Sequence, residues 1–440
     1  MRLQADIMKR AEAMKDGLVR QRRDFHRYPE SGWTEFRTAS IVAAALSSLG
    51  YEVLSGDQAV DPAYMMGVPA TDQLEKAQAR AVREGADPDW VDRMDGGCTG
   101  IVGVLHCAHS GPVVGIRFDM DCNEVTETDD PAHRPNAEGF ASIHPGEMHA
   151  CGHDGHTAVG LGVARILAAL KDELSGTIKL VFQPAEEGVR GARAMAARGV
   201  VDDVDWMLGA HFGFKMKKTG TIACNVTGFL ATSKFDAYYT GHPAHAGAAP
   251  EQGKNALLAA ACAALNLHAI SRHSRGASRV NVGRLNCGSG RNVVGDKGFL
   301  QMETRGADSE INQYMEKEAE RILKAAAAMY DVTCQIKRTG GAAGADNSPE
   351  LAEYLQQTAE TLGIFNPLAG ACPFGASEDY SYFMEKVQAH GGQAAYMMIG
   401  ADLAAGHHDA HFDFDEDALV LALKMLTCAA AGLLQQTQTA

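Results

Sequence analysis

The sequence predicts an α/β protein interrupted by a small α+β unit, and three observations carry that expectation. Short apolar runs at 101–105, 113–118, 177–182 and 205–210 alternate with a helical stretch over 157–170, the pattern of a sheet covered by helices. From about Thr227 the texture changes to strand-like alternation with two long helices, and α/β texture resumes from Leu351. The 440 residues also exceed what one hydrophobic core usually supports. The expected division is one domain built from 1–226 and 341–440, with 227–340 inserted between its two parts.

Ile7, Ala11, Met14 and Leu18, then Ala39, Val42, Ala45, Leu46 and Leu49, recur at helical spacing, with Gly50 as a stop. Between them Phe25-His26-Arg27-Tyr28-Pro29-Glu30 reads as a break. Residues 55–97 are acidic and weakly periodic, a mostly helical insertion. In the inserted unit, strands are expected over 233–239, 279–285, 299–305 and 332–337, with helices over 256–270 and 309–329: four strands and two helices.

The formal charge of −15 and pI near 5.6 argue against nucleic acid or an anionic membrane as partner, since both ask for a basic surface. The ten cysteines are scattered without paired CxxC spacing, which fits reduced thiols in a cytoplasmic setting. The N-terminal segment lacks a continuous apolar stretch, and no window reaches membrane-spanning length without charge.

The run His149-Ala150-Cys151-Gly152-His153-Asp154-Gly155-His156 concentrates metal-ligand types in a stretch too glycine-rich for an ordinary helix, and reads as a metal-site loop. Cys151 and His153 alone form a weak signal, because a lone cysteine is more often a small buried hydrophobe. Glu187, His211 after the strand 205–210, and His408 in the turn 406–409 add further ligand types near strand ends. Two divalent ions held by such a set would supply a polarised carbonyl and a hydroxide at neutral pH, the chemistry of hydrolysis. Glu186 and Glu187 follow the strand 177–182, where neighbouring side chains point opposite ways, so that Glu187 binds metal while Glu186 serves as general base. Asp119 and Asp121, beyond the strand 113–118, are placed to orient a ligating imidazole.

Arg22-Arg23-Asp24-Phe25-His26, Ile116-Arg117-Phe118-Asp119-Met120-Asp121, 148–156, 183–188 and 408–416 occur in the order found in amidohydrolases of the aminoacylase/glutamate carboxypeptidase metallopeptidase superfamily, which the chain resembles over nearly its whole length. The Cys-Gly-His-Asp-Gly-His form is similar to the hippurate-hydrolase-like and auxin-conjugate-hydrolase branch. The stretches 188–195, 235–270, 278–294, 302–307 and 406–416 look like those of the A subunits of bacterial aminobenzoyl-glutamate utilisation proteins.

The resemblance implies a di-metal, aminopeptidase-like catalytic domain and an inserted lid that also dimerises. It implies metal ligands Cys151, His153, Glu187, His211 and His408, Glu186 as base, and Asp121 as catalytic aspartate. In the lid, His245 corresponds to a histidine that stabilises the oxyanion across a dimer, with His242 a competing candidate. Asn292 and Arg305 match positions that hold the substrate carboxylate. Arg190 and Arg291 are further basic groups open to a second carboxylate. The ions implied are manganese or zinc, two per chain.

The expected activity is hydrolysis of an N-acyl amino acid, p-aminobenzoyl-glutamate first, by a metal-bridging hydroxide. An indole-acetyl-aspartate or hippurate-type amidase is the alternative within the same chemistry. Departures from the branch pattern at Asp409-Ala410 and Cys122-Asn123-Glu124 fall on pocket walls and bear on substrate choice. Two readings from other classes compete: a thiol hydrolase using Cys151 with His153 or His156, and a metal-binding chain active only with a sister subunit. The partner expected first is a second copy of the chain through the lid.

Overall fold

The computed structural model describes residues 2–367 and 370–435, and the chain divides into two compact units. The first comprises residues 1–227, 346–374 and 382–440; the second comprises 228–345 and 375–381.

The first unit is built on an eight-stranded mixed sheet in the order Glu52–Ser55, Ile101–His106, Ser175–Gln183, His109–Asp119, Trp206–Phe212, Gln393–Ile399, Thr221–Ala223, Asn366–Pro367. The four central strands, from Ser175–Gln183 to Gln393–Ile399, run parallel. Their carboxyl ends therefore lie together, which is where ligand sites form in open α/β sheets. Toward their carboxyl ends these strands are mostly buried, as strands covered on both faces must be. The helix His153–Leu170 packs on Asp417–Leu433 and on Lys15–Arg27.

Tertiary hydrogen bonding extends several elements beyond their apolar runs. The strand expected over 205–210 continues to Phe212, so His211 lies within it and not after it. The helix expected from residue 157 begins at His153, so the second half of the glycine-rich run is its first turn and not a loop. Glycine is tolerated in that turn because a Cβ on Gly155 would lie 2.6 Å from the Phe414 ring: the glycine makes room for packing. The expected break at 25–30 starts later, because Lys15–Arg27 carries Phe25 and His26 inside the helix. The strand Glu52–Ser55 was hidden by its short length. The insertion is mostly helical, with its longest helix at Thr71–Arg83 burying Leu74, Ala77 and Ala81.

A buried ion cluster ties the helix Lys15–Arg27 to the start of His153–Leu170. Arg22 donates from Nε to Asp154 Oδ2 at 2.8 Å, from Nη2 to Asp413 Oδ1 at 2.9 Å and from Nη1 to Glu416 Oε1 at 3.3 Å. His26, one turn on, places Nδ1 2.8 Å from the same Asp154 oxygen and Nε2 3.0 Å from Glu127. Burial opposes charge on Asp154, yet Arg22 and His26 outweigh it and hold this carboxyl well below the usual range.

The second unit has an antiparallel sheet in the order Thr333–Ala342, Ala231–Thr240, Lys297–Gly306, Ser278–Cys287. The helices Ala256–His268 and Ser309–Met329 pack on it through Ala259, Ala263, Met315 and Leu323 against Phe235, Tyr239 and Leu300. Four strands and two helices match the α+β expectation. Among the described residues no helix is long and apolar enough to cross a membrane.

Removing Arg22 takes a fully buried guanidinium from three carboxylates and leaves Asp154 with His26, Asp413 with Arg134 and Glu416 with Arg23 and Arg134, so Arg22→Ala is expected to destabilise the fold by about 3–5 kcal/mol in denaturant unfolding. The more exposed Arg23→Ala should cost about 1 kcal/mol or less. Glu30 caps the helix Phe36–Ser48, accepting from the N–H groups of Arg37 and Thr38 at 2.8 Å each, and burial pushes its carboxyl up to about 7. As pH rises from 4.5 the unfolded chain ionises first, so this group removes stability until the folded carboxyl also titrates near 7. Chemical unfolding at about pH 5 and about pH 8 should show a decline on the order of 3 kcal/mol from this source, absent from the slope of Glu30→Gln.

Candidate metal centre

Two segments that leave the carboxyl ends of parallel strands, after Asp119 and after Gln183, meet the start of the helix His153–Leu170 at Asp121. Its Oδ1 accepts from the N–H of Glu186 at 3.0 Å and its Oδ2 from the N–H of Glu187 at 2.8 Å. Its carbonyl accepts from His153 Nδ1 at 2.9 Å. That bond fixes the tautomer of His153, leaving Nε2 directed elsewhere. Nε2 is buried with no hydrogen-bond partner, 3.6 Å from Asp119 Oδ2 and 4.0 Å from Glu186 Oε2. An orphaned imidazole nitrogen amid carboxylates is the environment a cation would satisfy.

The candidate ligands fall into two groups that share one sulfur. The ligand atoms of Cys151, His153 and His211 lie within 4.8 Å of one another, and so do those of Cys151, Glu187 and His408. Cys151 Sγ is 3.5 Å from His211 Nε2, while His211 Nδ1 donates to the Phe212 carbonyl at 2.8 Å. His408 Nε2 is 3.4 Å from Glu187 Oε1, and its backbone N–H donates to the Ala150 carbonyl at 2.8 Å. That last bond draws the C-terminal turn onto the residue before Cys151. Sulfur, imidazole and carboxylate donors together form a set suited to a divalent transition metal.

Glu186 and Glu187 do not diverge as strand neighbours would. The strand ends at Gln183, Ala185 adopts φ of 50°, and the ligand atoms of His153, Glu186 and Glu187 lie within 4.8 Å of one another. The turn brings both carboxylates to one side. Burial would raise the Glu187 carboxyl, but His408 and His153 hold it at about 2. Conversely, burial would lower His153, but Asp119 and Asp121 raise it to about 10. The carboxylates around His153 thus favour positive charge at this position.

The other histidines of the run are committed elsewhere. His156 donates from Nδ1 to Asp119 Oδ1 at 2.6 Å and accepts at Nε2 from the Phe212 N–H at 3.1 Å, so both ring nitrogens are engaged. It is therefore not available as base to a Cys151 nucleophile. Asp119 thus orients His156, whereas Asp121 orients His153. Arg117 Nη1 holds the other Asp119 oxygen at 2.6 Å. His149 is buried, and burial pushes it down to about 3. His407 stacks on Phe214 at 4.1 Å and is lowered by burial to about 4, so it packs as a neutral ring.

Two residues that support the candidate centre were not evident from the sequence. Asp154 and Glu35 carry no distinguishing spacing, although Arg22 and His26 at i and i+4 mark one helix face. Glu35 accepts from the Ala185 N–H at 2.8 Å and from Thr99 Oγ1 at 2.6 Å, anchoring the residue before the carboxylate pair. Burial, with Asp121 nearby, raises its carboxyl to about 8.

His245, Asn292 and Arg305 belong to the second unit. His245 is exposed, and its Nδ1 accepts from the N–H groups of Gly247 at 3.2 Å and Ala248 at 3.0 Å, which leaves the ring proton on Nε2 as a donor. Asn292 is exposed, and Arg305 pairs with Glu303 at 2.9 Å.

The profile of Peptidase family M20/M25/M40 matches residues 115–431, and the chain belongs to that family as a hydrolase of amide bonds. It is 49% identical over 410 residues to the A-type chain of the p-aminobenzoyl-glutamate hydrolase of Escherichia coli strain K12, covering 93% of this chain and 94% of that one. It is 48% identical over 414 residues to the indole-3-acetyl-aspartic acid hydrolase of Enterobacter agglomerans, covering 94% and 95%. Among solved structures, an aminobenzoyl-glutamate utilization protein from Klebsiella pneumoniae superposes with a TM-score of 0.82 at 40% identity, covering 97% and 98%.

Cys151 is common to both ligand groups, so Cys151→Ala should lower bound metal more than either His211→Ala or His408→Ala. Metal content after equilibration with zinc or manganese, read by atomic absorption, checks this order. Asp121→Ala, which frees the 186–187 turn while leaving the backbone bond to His153, should weaken metal affinity by roughly 10- to 100-fold.

Proposed function

We propose that this chain cleaves the amide bond of an N-acyl amino acid, p-aminobenzoyl-glutamate in the first place, to p-aminobenzoate and glutamate. The observation that carries the reading is the meeting of two ligand groups on Cys151 with the Glu186 carboxylate beside them. The substrate class is supported by the two relatives at 49% and 48% identity, whose names pair an aromatic acyl group with an acidic amino acid.

In this reading Cys151, His153 and His211 hold one divalent ion and Cys151, Glu187 and His408 a second, zinc or manganese. Bound there, such ions polarise a scissile carbonyl and bring the pKa of water toward neutrality. Glu186, its side chain 12% exposed, takes a proton from the attacking water as the oxygen adds to the carbonyl carbon. It then delivers that proton to the amide nitrogen as the C–N bond breaks, releasing the amine. Asp121 keeps the Glu186–Glu187 turn and His153 in register through the reaction.

His245, with its proton on Nε2, is assigned to the developing oxyanion, a task for a preorganised N–H donor. Asn292 and Arg305 are assigned to the substrate's carboxylate, for which Arg305 must exchange its bonds to Glu303. The chain is read as a cytoplasmic homodimer assembled through the second unit, whose exposed Leu257, Leu258, Leu265 and Leu285 support an apolar contact. Assembly with a sister subunit is the second arrangement, supported by the relative from Escherichia coli, which is named as one subunit of its hydrolase. Indole-3-acetyl-aspartate is the second substrate reading, on the strength of the relative from Enterobacter agglomerans.

Glu186→Gln is expected to lose roughly 10²- to 10⁴-fold in turnover of p-aminobenzoyl-glutamate while retaining its metal. Wild-type turnover in that variant would overturn the base assignment. Chelator should abolish activity of the purified single chain, and activity that survives metal removal would favour a thiol mechanism.

A further inference from the structure

A polar cavity of about 610 Å³ opens in the first unit between the insertion helix Thr71–Arg83 and the loop after the carboxylate pair. Gln73, Lys76 and Arg80 line it from the helix; Ser31, Gly32 and Arg190 line it from the opposite wall. Most charges on its wall are already matched. Arg80 Nη1 pairs with Glu147 Oε2 at 2.5 Å, and Glu147 Oε1 accepts from Ser31 Oγ at 2.8 Å. Lys76 pairs with Asp72 at 2.9 Å.

Arg190 is the exception. Its Nε donates to the Glu187 carbonyl at 2.9 Å and its Nη1 to the Gly67 carbonyl at 3.1 Å, and among the described residues no carboxylate pairs with it. Glu124, the other acid on the wall, is exposed and beyond ion-pair distance. The guanidinium therefore retains N–H groups on Nη1 and Nη2 and a whole unmatched charge, half-buried at the wall of a cavity. Gly32 makes this placement possible: a Cβ there would lie 2.5 Å from Arg190 Nη2 and 2.9 Å from Ala185 Cα.

The same tight loop presents both functions. Ala185 at φ 50° and Val189 at φ 58° close it, and the Arg190 N–H donates to the Ala185 carbonyl at 3.0 Å. Glu186 and Glu187 thus stand at the metal centre while Arg190 folds back beside the Glu187 backbone. The side-chain carboxylate of an acidic amino acid lies only a few bonds from its amide nitrogen, and Arg190 bonds the backbone of Glu187, a residue of the candidate centre.

We propose that Arg190 selects an acidic amino-acid half of the substrate by binding its side-chain carboxylate in this cavity. The assignment rests on the amidase reading above and adds to it the residue that reads the second carboxylate. A planar guanidinium held by two backbone carbonyls makes paired bonds to a carboxylate with little further ordering, and a neutral amide in its place cannot match the charge.

The test compares kcat/KM for p-aminobenzoyl-glutamate and p-aminobenzoyl-glutamine in the wild type, Arg190→Gln and Arg190→Lys. The wild type should prefer the acidic substrate by roughly 10- to 100-fold. Arg190→Gln should collapse that ratio toward one, chiefly through KM, with Arg190→Lys between. Loss of loop support alone would lower both substrates together and leave the ratio intact; that result overturns the proposal. Isothermal titration of N-acetyl-glutamate and N-acetyl-glutamine into metal-loaded Glu186→Gln enzyme, with and without Arg190→Gln, reads the same discrimination without the aromatic acyl group. An Arg190-dependent preference there with no turnover of p-aminobenzoyl-glutamate by the wild type would sink the acyl assignment and keep Arg190. Equal or absent binding of the two ligands would sink Arg190 whatever the acyl group.

Discussion

One carboxylate organises the centre. Asp121 spends both oxygens on the consecutive N–H groups of Glu186 and Glu187 and its carbonyl on His153 Nδ1. A buried carboxylate is stable only when its oxygens are hydrogen-bonded, and the two N–H groups engage both of them. One residue thus fixes the path of the turn carrying two further acids through its side chain and the tautomer of an imidazole through its backbone carbonyl. The same contacts that make Asp121 tolerable inside the protein align the candidate metal ligands.

A second layer of buried charge supports the first. Arg22 and His26 converge on Asp154, the residue after His153, and Arg117 with His156 converges on Asp119. Each pairing holds a carboxylate ionised where burial alone would protonate it. Such networks contribute less to net stability than their contacts suggest, because desolvation offsets much of the attraction. Their effect is positional: they fix the start of His153–Leu170, and with it His153, while Glu35 steadies the backbone entering the Glu186–Glu187 turn.

Much of the fold was legible because local apolar periodicity survives in the final packing. The helix Ser309–Met329 has the bounds its pattern indicates, and the two-helix, four-strand unit follows from alternation alone. Strand ends were less legible, since an edge residue such as His211 is recruited by pairing with Met398, a partner far along the chain. The first turn of His153–Leu170 was concealed by glycines, whose helix cost is offset by packing against Phe414, information absent from the local sequence. The parallel order of the central strands, which gathers 119–121, 186–187 and 211 at one edge, is likewise a long-range property.

The sequence by itself determined the ligand types, their order and the class of chemistry, because Cys-x-His, paired glutamates and a late histidine carry donor chemistry wherever they fold. Only the tertiary structure decided which donors meet. It committed both nitrogens of His156 to Asp119 and Phe212, left His153 Nε2 open, and turned Glu186 and Glu187 to one side. The physical reason is that hydrogen-bond satisfaction of buried groups is settled between segments far apart in the chain. A histidine's availability depends on neighbours that its local sequence does not name.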